Sequence, residues 1–248
     1  MINFKKWEKC YRKILNDFGF KRKEDEKSAE CLNQILSKRE HLSFNELKNY
    51  TNEISDSNLF IVFGAGPSIK KHLNYVKKHS KKFKDHIIVA ADGATSALLE
   101  EDIIPDIIVT DLDGKIDDLL IANSKGAVFI IHGHGNNLDL IKKYTNRFDK
   151  VLGTTQSTPL KNVYNFGGFT DGDRAIFLVE SLGAKKIVLG GMDFGKYVTN
   201  YSRPNIEKNI EIADNIKVKK LKYAKKIVKW IKKNKDVCIF SIDEYQLE

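Results

Sequence analysis

Cysteine, proline, arginine and glutamine are all scarce in this chain of 248 residues, and long apolar runs are missing. The three cysteines, Cys10, Cys31 and Cys238, have no C-x-x-C spacing and cannot all pair. That excludes a disulfide scaffold, argues against a zinc site and reads as reduced thiols. With only four prolines, 42% hydrophobic and 30% charged residues, the chain is neither disordered nor collagen-like. No apolar run approaches the roughly 18 residues that span a bilayer; Leu59–Phe63 and Ile87–Ala91 have strand length. The opening MINFKKWEKCYRK has no signal-peptide stretch, so a cytoplasmic protein with no membrane partner is expected. The length admits one large α/β domain or two small ones, each with a real core.

Arginine occurs six times against 36 lysines, and the formal net charge is +9. That charge is local: residues 1–56 carry +2, 57–195 carry +1, 196–236 carry +9 and the last twelve carry −3. Arg forks are the usual readers of bases, so lysine dominance weakens a nucleic-acid reading. It suits a surface of ion pairs of the kind favoured at high temperature. Within the basic segment, Ala213, Ile216, Leu221, Ala224, Ile227, Val228 and Ile231 form an apolar face with lysines over the remainder. A helix packed on a sheet with a solvated basic face is expected, with no specific nucleic-acid partner. A basic nucleic-acid-binding protein is the non-enzymatic alternative.

The first 56 residues contain no convincing strand. Trp7, Tyr11, Ile14 and Leu15 recur at helical spacing, as do Ala29, Leu32, Ile35 and Leu36. Ser43 and Glu46 form a capping-box pattern that opens a third helix. A helical N-terminal module is predicted over 1–56, its role either docking or a subunit contact; a homo-oligomer is compatible with the chain. From Leu59, apolar runs at 59–63, 87–91, 107–110, 127–131, 150–152, 187–190 and 237–241 alternate with helical stretches at 68–80, 94–101, 116–124, 137–146 and 172–182. This predicts an α/β domain over 57–248: a Rossmann-like, mostly parallel sheet with helices on both faces, ending in the Lys-rich helix and a last strand. Ligands in such sheets bind outside the carboxyl ends of the strands.

The residues at those ends are rich in Gly, Asp, His and small hydroxyls. Gly64-Ala65-Gly66-Pro67-Ser68 turns from the first strand into a helix, a place where glycines let backbone amides approach an anion. A plain tight turn and a dinucleotide fingerprint are the alternatives; the latter lacks its third Gly. Asp111 and Asp113, two apart at the end of a strand, are expected on one side of it. Such a pair repels itself unless a cation neutralises it, and oxygen-only ligands suit Mg²⁺ shared with phosphates. Asp92, Asp171 and Asp193 stand at neighbouring ends, with a helix cap as the lesser alternative for Asp171. His134 and Asn136 follow the fourth strand, and either histidine of His132–His134 alone equally fits a buried, backbone-satisfied ring. Thr155 and Gln156 offer hydroxyl and amide groups, and Arg174 a phosphate-binding fork.

In their order, Ala91-Asp92-Gly93, Thr110-Asp111-Leu112-Asp113 and Thr170-Asp171 resemble the motifs of thiamine pyrophosphokinases. The fuller set, with Gly64–Ser68, His132–Asn136 and the block Asn165–Arg174, is more similar to the archaeal 6-hydroxymethyl-7,8-dihydropterin pyrophosphokinases. The resemblance covers about residues 57–195. Gly114 replaces the serine of the thiamine enzymes' D-x-D-S, and Met192 interrupts their G-G-R-x-D-H, which speaks against thiamine. The resemblance implies ATP as co-substrate, Mg²⁺ and transfer of diphosphate to a pterin alcohol with release of AMP. It places the metal on Asp111, Asp113, Asp171 and Asp92, the catalytic centre on the first three, and the nucleotide and pterin among Gly64, Gly66, Ser68, His134, Asn136 and Arg174; Thr155, Gln156 and Asp193 join that binding set by their own chemistry and strand-end position. Thiamine pyrophosphokinase and a nucleotide-sugar transferase of the motility-accessory type are the enzymatic alternatives.

Overall fold

The computed structural model describes residues 4–245, so the outermost residues of both predicted segments, 1–3 and 246–248, lie outside it. In chain order its elements are α1 (Phe4–Phe18), α2 (Arg22–Leu36), α3 (Phe44–Ile54), β1 (Leu59–Phe63), α4 (Ile69–Lys78), α5 (Ser80–Phe83), β2 (His86–Ala91), α6 (Ala94–Leu99), β3 (Ile107–Thr110), α7 (Ile116–Ser124), β4 (Val128–Gly133), α8 (Leu138–Tyr144), β5 (Val151–Thr155), β6 (Val163–Tyr164), α9 (Asp171–Leu182), β7 (Lys186–Gly190), β8 (Tyr197–Thr199), β9 (Ile210–Ile212), α10 (Asn215–Asn234) and β10 (Cys238–Ser241). Every predicted strand is present. Two run further than expected, β4 to Gly133 and β5 to Thr155. The pair β8–β9, an antiparallel ribbon outside the main sheet, has no apolar run to announce it.

Among the described residues eight strands form one parallel sheet in the order β10-β7-β1-β2-β3-β4-β5-β6. The chain moves outward from β1 to β6, then returns to place β7 on the other side of β1. That reversal opens a crevice at the strand ends, the usual ligand position in such folds.

Strand alternation divides the core in two. Phe60 and Val62 face α1, α3, α9 and α10; Ile61 and Phe63 face α2, α4, α6, α7 and α8. Both faces are apolar because both are covered, as a parallel sheet requires. The helices of the predicted N-terminal module are thus shared between the two faces, with Trp7, Tyr11 and Leu47 in one core and Ala29, Leu32 and Leu36 in the other. The capping box at Ser43 and Glu46 forms as predicted. At α9 the cap is Thr170, whose N–H and hydroxyl donate to Asp173, so the helix-cap reading of Asp171 is corrected: it is the first helical residue and its carboxylate is left for the cavity.

Candidate active site

A cavity of about 520 Å³ lies at the carboxyl ends of β1, β2, β3, β4 and β7. Its floor is acidic. Asp92, Asp111 and Asp113 each bring a carboxylate oxygen within 4.8 Å of the others. Asp171 lines the same cavity but stands outside that group. Three of the four predicted metal ligands are therefore brought together.

The reason they converge differs from the one the spacing suggested. β3 ends at Thr110, and Leu112 has a left-handed backbone, with φ 70°, so Asp111 and Asp113 meet across a turn rather than along a strand. Leu112 is buried, and its N–H donates to Thr110 Oγ1 at 2.8 Å. The Thr110 hydroxyl in turn donates to Asp92 Oδ1. Asp92 also has positive φ, 38°, and its Oδ2 would lie 2.3 Å from a Cβ on Gly114. A bare glycine there is what lets the carboxylate settle against the turn.

The charges answer to this crowding. Burial, then the charge of Asp111, pushes Asp92 up to about 6. Burial within the cleft walls, then Asp111 and Asp92, pushes Asp113 up to about 8, although its side chain reaches the cavity mouth. Burial raises Asp111 too, but the hydrogen bond and charge of His134, with Nε2 2.9 Å from Asp111 Oδ2, outweigh it and hold that carboxyl well below its usual range. Asp171 is raised well above the ordinary range by burial, Asp111 and Asp92. An all-carboxylate set that resists full ionisation fits a hard divalent cation with oxygen ligands.

Around the acids stand polar groups with capacity to spare. His132 is fully buried, its Nδ1 3.2 Å from Thr154 Oγ1, and its Nε2 has no protein partner. Arg174 is 2% exposed; one Nη donates to Phe169 O, while Nε and the other Nη have none. Buried unpaired polar atoms on a cavity wall call for a partner from outside the protein, water or ligand. Gln156, likewise on the wall, gives its amide N–H to Asp25 Oδ2 at 2.9 Å. Asn136 is exposed at the rim, and the orienting role falls to its neighbour Asn137, which donates to the carbonyls of Asp111 and His132.

Several predicted site residues already have protein partners or stand back from the cavity. Thr155 is buried behind the wall, its hydroxyl accepting the Ser157 N–H at 3.2 Å, and it does not reach the cavity. Asp193 Oδ2 accepts from both the N–H and the hydroxyl of Ser68, at 3.1 and 3.0 Å. The amide expected for a phosphate is thus already taken by a protein carboxylate. Gly64 and Gly66 line the cavity, yet a Cβ on Gly66 would lie 2.2 Å from Asp193 Oδ2 and 2.6 Å from Gly191 O. Their bareness serves the packing of the 190–193 turn.

Sequence reasoning missed two contributors. Helix α2 delivers Asp25, whose Oδ1 accepts the Gly135 N–H at 2.7 Å and whose Oδ2 accepts the Tyr11 hydroxyl. Asp25 stands on the buried stripe with Ser28, Ala29, Leu32 and Leu36, and an acid on such a stripe was the available signal. Helix α10 delivers Lys217 and Lys220 to the opposite wall.

A doubly wound α/β enzyme with a carboxylate-floored cavity at its strand ends is the class that fold and site define. The family model described as 6-hydroxymethylpterin diphosphokinase MptE-like matches residues 31–199. A protein from Methanothermobacter thermautotrophicus named 6-hydroxymethyl-7,8-dihydropterin pyrophosphokinase is 48% identical over 94% of this chain and 97% of its own. Proteins of the same name from Methanocaldococcus jannaschii and Pyrococcus furiosus are 48% and 45% identical, over 93% and 94% of this chain and 96% of each of theirs. The chain belongs to the 6-hydroxymethylpterin diphosphokinase MptE-like family. A solved structure of MAf glycosyltransferase from Magnetospirillum magneticum AMB-1 is a distant likeness, with TM-score 0.49 and 14% identity over 81% of this chain and 38% of its own.

Proposed function

We propose that this chain transfers the β,γ-diphosphate of ATP to the hydroxymethyl group of 6-hydroxymethyl-7,8-dihydropterin and releases AMP. The observation that carries the reading is the convergence of Asp92, Asp111 and Asp113 in one cavity with a buried Arg174 that has two guanidinium nitrogens without a protein partner, in a chain of this family. The alcohol oxygen attacks Pβ, the bond from Pβ to the α–β bridging oxygen breaks, and AMP departs with that oxygen. Protein catalysis of such a step is chiefly positioning and charge neutralisation.

Asp92, Asp111 and Asp113 would hold Mg²⁺. When bound, the ion would supply charge neutralisation for the phosphate oxygens. His134 keeps Asp111 ionised and fixed in direction, and Asn137 anchors the Asp111 backbone. Arg174 offers two unused guanidinium nitrogens to an anion in a site of low dielectric, where such contacts are strong. Asp171, which lines the cavity outside the converging set, is the carboxylate left to accept the hydroxyl proton. His132 Nε2 and Gln156, both residues of the cavity wall, would serve the pterin's hydrogen-bonding edge.

Incubating the protein with ATP, Mg²⁺ and the pterin alcohol tests the reading. Alcohol-dependent AMP is expected. ADP would mean an ordinary kinase, and AMP with thiamine in place of the pterin would reassign the substrate.

A further inference from the structure

Helix α10 carries most of the chain's excess charge, but its lysines are not equivalent. Lys222, Lys225, Lys226 and Lys229 are exposed, whereas Ala224, Ile227, Val228 and Ile231 form the stripe buried on the sheet. At i, i+3/i+4 spacing that stripe continues backward through Lys220 to Lys217. The helix therefore turns two lysines, in the direction of its apolar face, onto the cavity wall. Asp214 caps the helix by accepting the Lys217 N–H at 2.8 Å, which fixes the backbone from which the side chain leaves.

Lys220 is held by aromatic faces, its ammonium 5.8 Å from the Phe20 ring and 5.9 Å from Phe169. Lys217 is partly buried, and among the described residues no carboxylate lies within ion-pair distance of it. Burial, then the neighbouring charge of Lys220, lowers its proton affinity, while Asp113 and Asp171, which line the same cavity, act in the opposite sense. A half-desolvated ammonium facing, but not touching, a group of acids leaves room between them for a ligand anionic toward the lysine and metal-bound toward the acids.

We propose that Lys217 is the cation that grips the non-bridging oxygens of the transferred diphosphate, with Lys220 as its second charge. The proposal rests on the polyphosphate-transfer reading above and adds a residue outside the stretch 31–199 that the family model matches. In this role Lys217 acts as an ammonium: it donates hydrogen bonds and no proton changes hands. Its place on a helix separate from the acid-bearing strands makes the polyphosphate the bridge between α10 and the sheet.

Tripolyphosphate with Mg²⁺, titrated calorimetrically against the full chain, tests this without the pterin. Lys217→Gln should weaken binding roughly tenfold or more, as loss of a charge-assisted contact does. Lys217→Arg should recover most of the loss, and Lys225→Gln on the exposed face should change nothing. The difference must persist at about 0.5 M KCl, where a merely long-range field is screened. Equal affinity of Lys217→Gln and parent, or a difference that vanishes in salt, overturns the proposal. Lys217→Met keeps the apolar stem, and loss of fold in both it and Lys217→Gln would make the residue structural and equally overturn it. Should the parent bind tripolyphosphate through Lys217 yet release no AMP with the pterin alcohol, the substrate reading fails while Lys217 stands.

Discussion

At the scale of single residues, the site is a negotiation between two strained backbones and their charges. Asp92 and Leu112 both hold left-handed conformations, which cost about 1–3 kcal/mol each for residues with a Cβ. Burial of Leu112 and the hydrogen bonds through Thr110 hold them there. The two neighbouring carboxylates should respond differently to neutralisation. Asp113→Asn removes a self-repelling charge, so the metal-free protein should melt at a higher temperature than the parent. Asp111→Asn takes away the partner of His134 and should bring no such gain. Both should lose roughly a hundredfold or more in turnover, as when a metal-centred charge contribution is lost. Calorimetry of the metal-free variants and AMP release at saturating Mg²⁺ check the pair; near-parental turnover in either would remove that residue from the metal site. Gly114→Ala sets a methyl 2.3 Å from Asp92 Oδ2 and should weaken Mg²⁺ binding with the fold kept, measured by metal titration.

Between elements, two packings decide the cavity's shape. The first joins the turn after β1 to the turn after β7: Gly66 N–H donates to Gly191 O at 2.8 Å, and His72 Nδ1 accepts the Gly191 N–H at 3.0 Å. Because a Cβ on Gly66 would strike the Gly191 carbonyl and Asp193, Gly66→Val should lower thermal stability and weaken nucleotide and pterin together. Selective loss of ATP-analogue affinity at parental stability would restore the loop as a direct phosphate cradle. The second packing seats α2 over β4 and β5. Asp25 ties Tyr11, Gly135 and Gln156 into one buried network, and Asp25→Ala leaves those donors without an acceptor. A stability loss of about 1–3 kcal/mol is expected from unsatisfied buried groups, with turnover falling because the Gln156 amide is released. Chemical denaturation and the AMP assay on one preparation measure both.

For the whole molecule, the acids make stability a function of pH. Asp92 and Asp113 rise from the ordinary 3.8 to about 6 and about 8, so the folded chain binds more protons than the unfolded one across that interval. Stability from these groups is therefore lost as pH rises toward 8. His86 and His132, both held below the ordinary 6.5 by burial, act in the opposite sense, but chiefly below that value. Between about pH 6.5 and 8.5 the melting temperature of the metal-free protein should fall, Asp113→Asn should flatten the decline, and Mg²⁺ should oppose it by displacing protons. A melting temperature that is level through this window in the parent would refute the crowded-acid account. The sheet itself was legible in the sequence, because strands covered on both faces must be continuous apolar runs, and the acids stood out because packing has no use for them at strand ends. Chemistry-bearing motifs that are local, such as Asp111-Leu112-Asp113 and Thr170-Asp171, could be found without a structure. Their company could not. Asp25 and Lys217 stand 192 positions apart in a 248-residue chain, each on a helix whose pattern announces a buried face but not what that face meets. Only the folding of α2 and α10 onto opposite faces of one sheet brought them to a single cavity, and only the tertiary structure showed that Asp111 and Asp113 meet through a left-handed turn at Leu112 rather than through strand alternation.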